Sequence, residues 1–250
     1  MGARSDGYFE DPGGSELIDQ KLIRPMTASD IHRGLELCRA ANWNQLRGDW
    51  DYLIAHARCY VAVLDDRVEG TCAILQPDGP LAWIAMMLVD PAVRRRSIGS
   101  GLFEHVVGIA KAPSIGLDAT GEGRLLYARY GFEPVCEIER WHRGTGAWTT
   151  IPERNITCPW RSGGASNQIG PLVAGSIEDA GSAVNACVAA DPLSGWILDV
   201  PAAADPAWHG WLKAQGFTPQ RTFTRMYRGP APSIDSNLYA TSGPEFGPLI

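Results

Sequence analysis

Residues 88–103 read LVDPAVRRRSIGSGLF, and this stretch decides how the rest of the chain is interpreted. Its first two residues end an apolar run, Leu81–Val89, which is typical of a central strand covered on both faces. The run stops at Asp90 and Pro91, and an arginine- and glycine-rich turn over 94–101 follows. Small residues let the main chain approach a ligand, and the first N–H groups of a helix lack internal partners, so this turn is suited to a pyrophosphate. The alternative is an ordinary strand-to-helix turn with solvated arginines.

Outward from this turn, the apolar patterning predicts alternating strands and helices. On its N-terminal side we predict a strand over 21–26, a helix over 29–41 with Thr27 and Asp30 as its capping box, a short helix ending near Ala57, and a hairpin of 59–64 with 68–75. On its C-terminal side we predict a helix to about Lys111, a strand over 115–118, a helix over 123–130 and strands after Phe132. This mixture predicts the α/β (α+β) class.

The C-terminal half repeats the end of the first half. In the first copy the repeated features are Leu117, Asp118, a helix, Gly131, Phe132, and Arg143 eleven positions after the Phe. In the second copy they are Leu198, Asp199, a helix, Gly216, Phe217, and Arg228 eleven positions after the Phe. Leu88 and Val89 have echoes at Leu172 and Val173. The ordered spacing indicates a duplication.

Composition and repeat together predict four parts of the chain. Residues 1–20 lack the basic start and apolar core of a secretory signal and are predicted to be a flexible tail. A first domain over 21–145 is followed by a linker over 146–169, rich in Pro, Gly, Ser and Thr, and by a second, smaller domain over 170–250.

Charge and cysteine usage narrow the classes of partner. The net charge of −6 argues against nucleic acid, and no apolar run approaches the roughly 18 residues of a membrane span. The six cysteines are spread singly, with no CxxC pair and no His at metal-ligand spacing. We therefore expect reduced thiols, no metal and a cytoplasmic protein. The oligomeric state stays open.

Residues 88–103 resemble the acyl-CoA-binding segment of the GNAT superfamily of N-acetyltransferases. That pattern is Arg or Gln, two residues, Gly, one residue, and Gly or Ala. Arg96, Gly99 and Gly101 match it literally, whereas counting from the strand end aligns Arg94, Ser97 and Gly99, the register that we prefer. This register puts a serine at the family's first glycine, which requires a backbone conformation open to L-residues.

The resemblance continues through GLDATGEGRLLYARYGF at 116–132. It implies the GNAT fold, a mixed central sheet flanked by helices, and acetyl-CoA as co-substrate, without a metal. It also implies a splayed central strand that receives the pantetheine arm. The residues it implies as coenzyme-binding are Leu88, Val89, Arg94, Arg95, Arg96, Ser97, Ile98, Gly99, Ser100, Gly101, Thr120 and Tyr127.

Catalytic and acceptor-binding candidates follow from the same resemblance. Tyr127 stands where the family commonly has a tyrosine beside the coenzyme sulfur, which implies a proton donor to the leaving thiolate; the alternative is a core aromatic. Asp90 is the carboxylate nearest the central strand and a candidate base, or a turn-stabilising residue before Pro91. Trp43, Asn44 and Trp50 precede the hairpin, where the family builds its acceptor pocket; a tryptophan-rich core patch is the alternative.

The second copy departs from the first at its functional positions. Leu212 replaces Tyr127, and Glu178 and Asp179 stand where the first copy has arginines, which implies a degenerate domain. Three motifs, DVP, RMYRG and GPEFG, resemble the C-terminal domain of tandem GNAT acetyltransferases, and Tyr239 and Glu245 are candidates for the acceptor pocket. The resemblance implies an enzyme that acetylates a primary amine of a small molecule by direct attack. The alternative is a coenzyme-binding sensor or scaffold without turnover.

Overall fold

The computed structural model describes residues 22–145 and 159–247, which together build one mixed sheet of ten strands with helices on both faces. The strands of the first half are β1 (Leu22–Pro25), β2 (Arg58–Leu64), β3 (Arg67–Leu75), β4 (Leu81–Val89), β5 (Ser114–Ala119) and β6 (Glu133–Arg143). Its helices are α1 (Ile31–Ala40), α2 (Arg47–His56), α3 (Ile98–Ile109) and α4 (Gly121–Ala128).

The second half contributes six strands and two helices among the described residues. The strands are β7 (Trp160–Arg161), β8 (Asn167–Ile169), β9 (Leu172–Val173), β10 (Trp196–Pro201), β11 (Thr218–Arg228) and β12 (Leu238–Ala240). The helices are α5 (Ile177–Ala190) and α6 (Pro206–Ala214). Among the described residues, no helix is both long and apolar enough to cross a bilayer.

Local chemistry explains the elements of the first half. Thr27 and Asp30 form the predicted capping box, and Arg24 donates two hydrogen bonds to the Asp30 carboxylate, at 2.8 and 2.9 Å. Asp65 and Asp66 both have positive φ, 49° and 61°, which matches a two-residue hairpin turn between β2 and β3. The predicted mixed α/β class and flanked central sheet are confirmed.

The two halves exchange strands within the sheet. The strand order is β1-β2-β3-β4-β5-β11-β6-β10-β8-β7, so β11 of the second half lies between β5 and β6 of the first. In return, β6 of the first half pairs with β10 of the second. Ile138 on β6 pairs with Phe223 on β11, and each lies six residues after the Gly-Phe phenylalanine of its repeat. An approximate two-fold axis that relates the two halves therefore passes between these two residues.

Two buried ion pairs obey the same symmetry. Asp118 on β5 accepts two hydrogen bonds of 2.8 Å from Arg225 on β11. Asp199 on β10 accepts two, of 2.7 and 2.6 Å, from Arg140 on β6. Burial opposes the charge of both arginines, but the paired carboxylate outweighs it and raises the pKa of each guanidinium. Each half therefore supplies the cation for the buried carboxylate of the other half.

Part of the predicted linker is strand in the structure. Trp160–Arg161 and Asn167–Ile169, within the linker predicted over 146–169, form β7 and β8, and β8 pairs parallel with β10. The Pro, Gly and Ser content of this region hid strands of only two and three residues. The predicted tail, the linker over 146–158 and Cys158 lie outside the described residues. Of the remaining cysteines, all five are free thiols.

Candidate functional site

The central strand β4 separates from β5 halfway along its length. The two strands pair in parallel only from Leu81 to Trp83, and the rest of β4 pairs on its other side with β3. Met86 lies in the splayed part with a φ of 53°, and its carbonyl accepts a hydrogen bond of 2.8 Å from the Thr71 hydroxyl. The β5-facing backbone edge around Leu88 is thus left without a strand partner in β5, which is the opening that an extended ligand arm fills in strand addition.

The turn after β4 ends in a left-handed residue. Ser97 has φ 56° and ψ 18° and is the N-cap of α3, and Arg95 also has a positive φ, 67°. Ser97 therefore meets the condition set by its alignment with the family's glycine only narrowly, because the left-handed region is small for L-residues and favours glycine. The first hydrogen bond of α3 runs from Gly101 N–H to the Ser97 carbonyl, at 3.1 Å. The amides that precede it point out of the helix start.

A large groove of about 840 Å³ runs along this helix start. It is lined by Leu88 and Val89 of β4, by Thr120 at the start of α4, by Tyr127, and by Arg94, Arg95, Ser97, Ile98, Gly99 and Ser100. Arg96 and Gly101 are not among the described residues that line it. Arg94 crosses the groove to Glu122 with an exposed ion pair of 3.0 Å. This lining agrees with the register of Arg94, Ser97 and Gly99.

Tyr127 lies at the inner end of the large groove. Its ring is buried, with its centroid 4.7 Å from that of Phe103, and it packs back over Gly123, where a Cβ would lie 2.8 Å from the tyrosine ring. Burial raises the pKa of the Tyr127 phenol, and the nearby Cys72 thiol adds to the effect. The phenol therefore stays protonated throughout the neutral pH range and is a permanent hydrogen-bond donor.

A small cavity of about 50 Å³ opens beside Tyr127. Trp43, Met87, Thr120, Tyr127 and Arg221 line both this cavity and the large groove. The cavity adds Asp118, Arg140 and Glu245, so residues of both halves close it. The strand exchange explains this lining. It places β11 with Arg221 next to β5, and β6 with Arg140 next to β11.

A third opening, the side groove, adjoins the small cavity. It has a volume of about 750 Å³, and Trp43, Gln45, Arg140 and Arg221 line both spaces. Trp43 and Arg221 line all three openings. The large groove, the small cavity and the side groove therefore adjoin one another at Trp43 and Arg221, and the three together are called the passage below.

The three residues predicted for an acceptor pocket have different places. Trp43 stands at the junction of all three openings. Asn44 lines the side groove, but its side chain is buried and bonds the main chain of Ala165 and Ser166, at 2.7 to 3.1 Å, which ties the two halves together. Trp50 is fully buried in the core beside Gly34 and lines none of the openings.

Asp90 is held away from this passage. It accepts a short hydrogen bond from Arg33 and another of 2.8 Å from Ala92 N–H, and it lines none of the three openings. The hydrogen bond from Arg33 lowers the pKa of the Asp90 carboxyl, so it is a poor base. The structure thus gives Asp90 the turn-stabilising role that was the alternative to a catalytic one.

The two C-terminal candidates also differ. Glu245 is buried, lines the small cavity and forms an ion pair with Arg161. Tyr239 packs its ring edge-on against Trp208, with centroids 5.2 Å apart, and does not line the passage. Sequence reasoning missed Arg140 and Arg221, because which strands neighbour β5 depends on the exchange and leaves no local signal.

In the second half the corresponding opening is filled by the chain itself. β9 leaves the main sheet and pairs with β12, and Thr241, just after β12, bridges back to Asp199 of β10. The segment 238–241 therefore lies between the two splayed strands. At the start of α5, Ser176 accepts a hydrogen bond of 3.1 Å from Asp179 N–H, and Glu178 and Asp179 place negative charge in the first turn.

Comparison with known families gives two matches. Residues 55–134 match a family model described as an acetyltransferase (GNAT) domain, and residues 160–240 match a second model with the same description. Over 141 residues, 56% of this chain, it is 26% identical to the Escherichia coli protein named N-acetyltransferase YafP, of which the match covers 87%.

Two solved structures share the architecture over most of the chain. One, assigned as an acetyltransferase from Pyrococcus horikoshii, has a TM-score of 0.74 at 18% identity, with 98% of this chain and 99% of that one covered. A GCN5-related N-acetyltransferase from Sphaerobacter thermophilus has a TM-score of 0.56 at 12% identity, with 87% and 98% covered. At these identities the likeness shows a common fold.

Proposed function

Because this chain belongs to the GNAT acetyltransferase superfamily, as two such domains in tandem, we propose that it transfers the acetyl group of acetyl-CoA to a primary amine of a small molecule. The observation that carries this proposal is that the large groove at the start of α3 and a small cavity lined by both halves share Tyr127 as a lining residue. The groove suits a diphosphate and the cavity admits a small acceptor.

The large groove has the features that the coenzyme requires. The amides at the start of α3 and the nearby Arg94 and Arg95 suit a pyrophosphate, since a helix N-terminus and cations both favour anions. The unpaired edge near Leu88 suits the amide-bearing pantetheine arm. The literal alignment, Arg96 with Gly101, is less well placed, because neither residue lines the groove.

Different residues of the chain then have different roles in the proposed reaction. Bound acetyl-CoA supplies an activated thioester carbonyl next to the small cavity. Main-chain N–H groups near Leu88 and Val89 polarise that carbonyl. The acceptor loses a proton to water and attacks the carbonyl as a neutral amine, so that the C–N bond forms, the C–S bond breaks and coenzyme A leaves as a thiolate; the second amine proton is then released to water. Tyr127 donates a hydrogen bond to the departing sulfur. Burial raises the pKa of the Tyr127 phenol. Full transfer of its proton to a thiolate whose conjugate acid has a pKa of roughly 8.5 is therefore uphill by more than about 2 kcal/mol, so the proton is shared between the phenol oxygen and the sulfur.

Glu245 is our candidate for holding the ammonium form of the acceptor. Among the described residues, two carboxylates line the small cavity, and both oxygens of Asp118 accept hydrogen bonds from Arg225. The ion pair of Glu245 with Arg161 is made through Oε1, so we assign the ammonium to Oε2. Asp90 is outside the cavity, so we do not carry it into the mechanism. The second half contributes side chains to this one site, and its own cleft is filled by 238–241, so we propose a single active centre.

The Tyr127→Phe variant tests the mechanism. Removing the hydroxyl deletes the donor to the leaving sulfur, so kcat should fall by about 100-fold or more while the dissociation constant of coenzyme A stays within threefold. Release of free thiol from acetyl-CoA measures the rate, and calorimetry measures binding. Tyr60→Phe is the matched control, because Tyr60 lies on β2 and lines none of the three openings.

The acceptor panel separates enzyme from sensor. Polyamines, aminoglycosides, amino acids and peptide N-termini are each added to the wild-type protein with acetyl-CoA. Clear coenzyme binding without thiol release for any amine would favour a sensor or scaffold. Unchanged turnover of Tyr127→Phe would remove the role assigned to that residue.

A further inference from the structure

The side groove is lined by basic and not by acidic side chains, in a protein whose net charge is −6. Among the described residues that line it are four arginines, Arg39, Arg47, Arg140 and Arg221, and none of its lining residues is Asp or Glu. Arg47 has a carboxylate neighbour in Asp51, but this exposed pair of 3.4 Å offsets little of the field. A groove lined with one sign of charge concentrates ligands of the other sign.

Arg221 is the least compensated of these cations near the reaction centre. Arg140 is neutralised by its bidentate pair with Asp199. Arg221 bonds only the Asn42 carbonyl, at 3.1 Å, and stacks over Phe223; no carboxylate within 22–145 or 159–247 lies within 4.0 Å of it. Its half-burial and the charge of Arg140 lower the pKa of the guanidinium, which nonetheless remains charged at neutral pH.

The pyrophosphate of the coenzyme has its own set of suitable partners at the start of α3. The residues from Arg94 to Ser100 that suit the pyrophosphate line the large groove, and none of them lines the small cavity or the side groove. Arg221 lines the large groove as well, but unlike those residues it also lines the small cavity beside Tyr127 and the side groove. We therefore infer that the anion bound by Arg221 is part of the acceptor, at the end of the passage where the sulfur lies.

We propose that the acceptor is an α-amino acid or a close analogue, whose carboxylate binds Arg221 and whose side chain extends into the side groove. This inference rests on the proposed acetyl transfer and names its substrate class. The small cavity holds only about 50 Å³ between Tyr127 and Arg221, so the anion must lie within a few bonds of the amine. A guanidinium binds a carboxylate through two parallel hydrogen bonds, which also fixes the direction of the amine.

The test compares amines that differ only by one anionic group, a carboxylate in two pairs and a phosphate in the third. L-phenylalanine is paired with 2-phenylethylamine, L-leucine with 3-methylbutylamine, and O-phosphoethanolamine with ethanolamine, each with acetyl-CoA. We expect kcat/KM to be about 10- to 100-fold higher for the amino acid than for its decarboxylated partner, since a hydrogen bond to a charged group supplies that much. A preference for the phosphate-bearing amine over both amino acids would overturn the assignment of an amino acid and would mean that Arg221 binds a phosphate group of the acceptor.

Substituting Arg221 assigns the preference to this side chain. In Arg221→Gln the ratio of kcat/KM between acid and amine should fall toward one. Arg58→Gln, a surface arginine on β2 that lines none of the openings, should keep the wild-type ratio. An equal loss for acid and amine, or a wild-type protein indifferent to the carboxylate, would overturn the proposal.

A binding measurement keeps this inference separate from the proposed function. The same pairs are titrated calorimetrically into protein saturated with coenzyme A. Binding of the amino acid that is lost in Arg221→Gln supports the substrate class even if no thiol is released, in which case the proposed turnover alone fails. Thiol release with amines that lack an anion, and no heat with the acids, overturns the substrate class and leaves acetyl transfer standing.

Discussion

Ser97 is the residue at which the sequence and the required backbone disagree most. Its left-handed conformation turns the chain from the arginines into α3 and directs the first amides of the helix at the large groove. A residue with a Cβ pays about 1 to 2 kcal/mol for this conformation. Glycine adopts it freely, but it loses about 0.5 to 1 kcal/mol more backbone entropy on folding.

From this balance we predict that Ser97→Gly leaves the free energy of unfolding unchanged or raises it by up to about 1 kcal/mol. Ser97→Val should lower it by more than about 1 kcal/mol, because a β-branched residue fits the left-handed region badly. Urea unfolding measures both. Arg95→Gly is a matched comparison, since Arg95 is also left-handed and should respond like Ser97→Gly. A clear loss of stability in Ser97→Gly would show that its hydroxyl, and not its backbone, matters at this turn.

At the scale of elements, the corner between β1 and α1 depends on one carboxylate. Asp30 caps the helix start through Thr27 and accepts two hydrogen bonds from Arg24. The hydrogen bond from Arg24 lowers the pKa of Asp30 to about 2, below the roughly 3.9 of an unfolded aspartate. Because the folded pKa is the lower one, the stabilisation is fully present above about pH 4 and is lost as the pH falls toward 2.

We therefore predict that Asp30→Asn lowers the free energy of unfolding by about 1 to 2 kcal/mol at pH 7, discounted for the partly exposed Arg24. The difference between variant and wild type should shrink steadily as the pH is lowered from 5 to 3. Urea unfolding at a series of pH values measures it. A difference that stays constant over this range would mean that the carboxylate acts by shape alone.

Elements with a continuous or periodic pattern were predictable from the sequence. β4 spans the residues of the apolar run, Leu81–Val89, because a strand buried on both faces has no polar alternation to blur its ends. The two helix–Gly-Phe–strand units also stand where the repeat put them. A repeat, however, tells which segments are alike and not which copies pair. The exchange of β6 and β11, and with it the place of Arg221, needed the structure.

At the scale of the whole molecule, the exchange makes each half depend on the other. Without β11, the first half would have an open edge on β5 and a buried Asp118 without Arg225. Removing one partner of a buried ion pair costs about 3 to 5 kcal/mol, a large share of the 5 to 15 kcal/mol that stabilises a typical domain. The small cavity would also lose Arg221 and Glu245.

We predict that residues 1–145 produced alone neither unfold cooperatively nor bind coenzyme A. Produced together with a second chain that begins at residue 159, they should assemble into a one-to-one complex that regains both properties, because the exchanged strands and ion pairs reform between the chains. Gel filtration, thermal unfolding followed by circular dichroism, and calorimetry measure this. The control is the uncut chain. A fragment 1–145 that folds alone and binds the coenzyme would mean that β6 can fill the place of β11, and the exchange would then be a feature of the intact chain that its first half does not need.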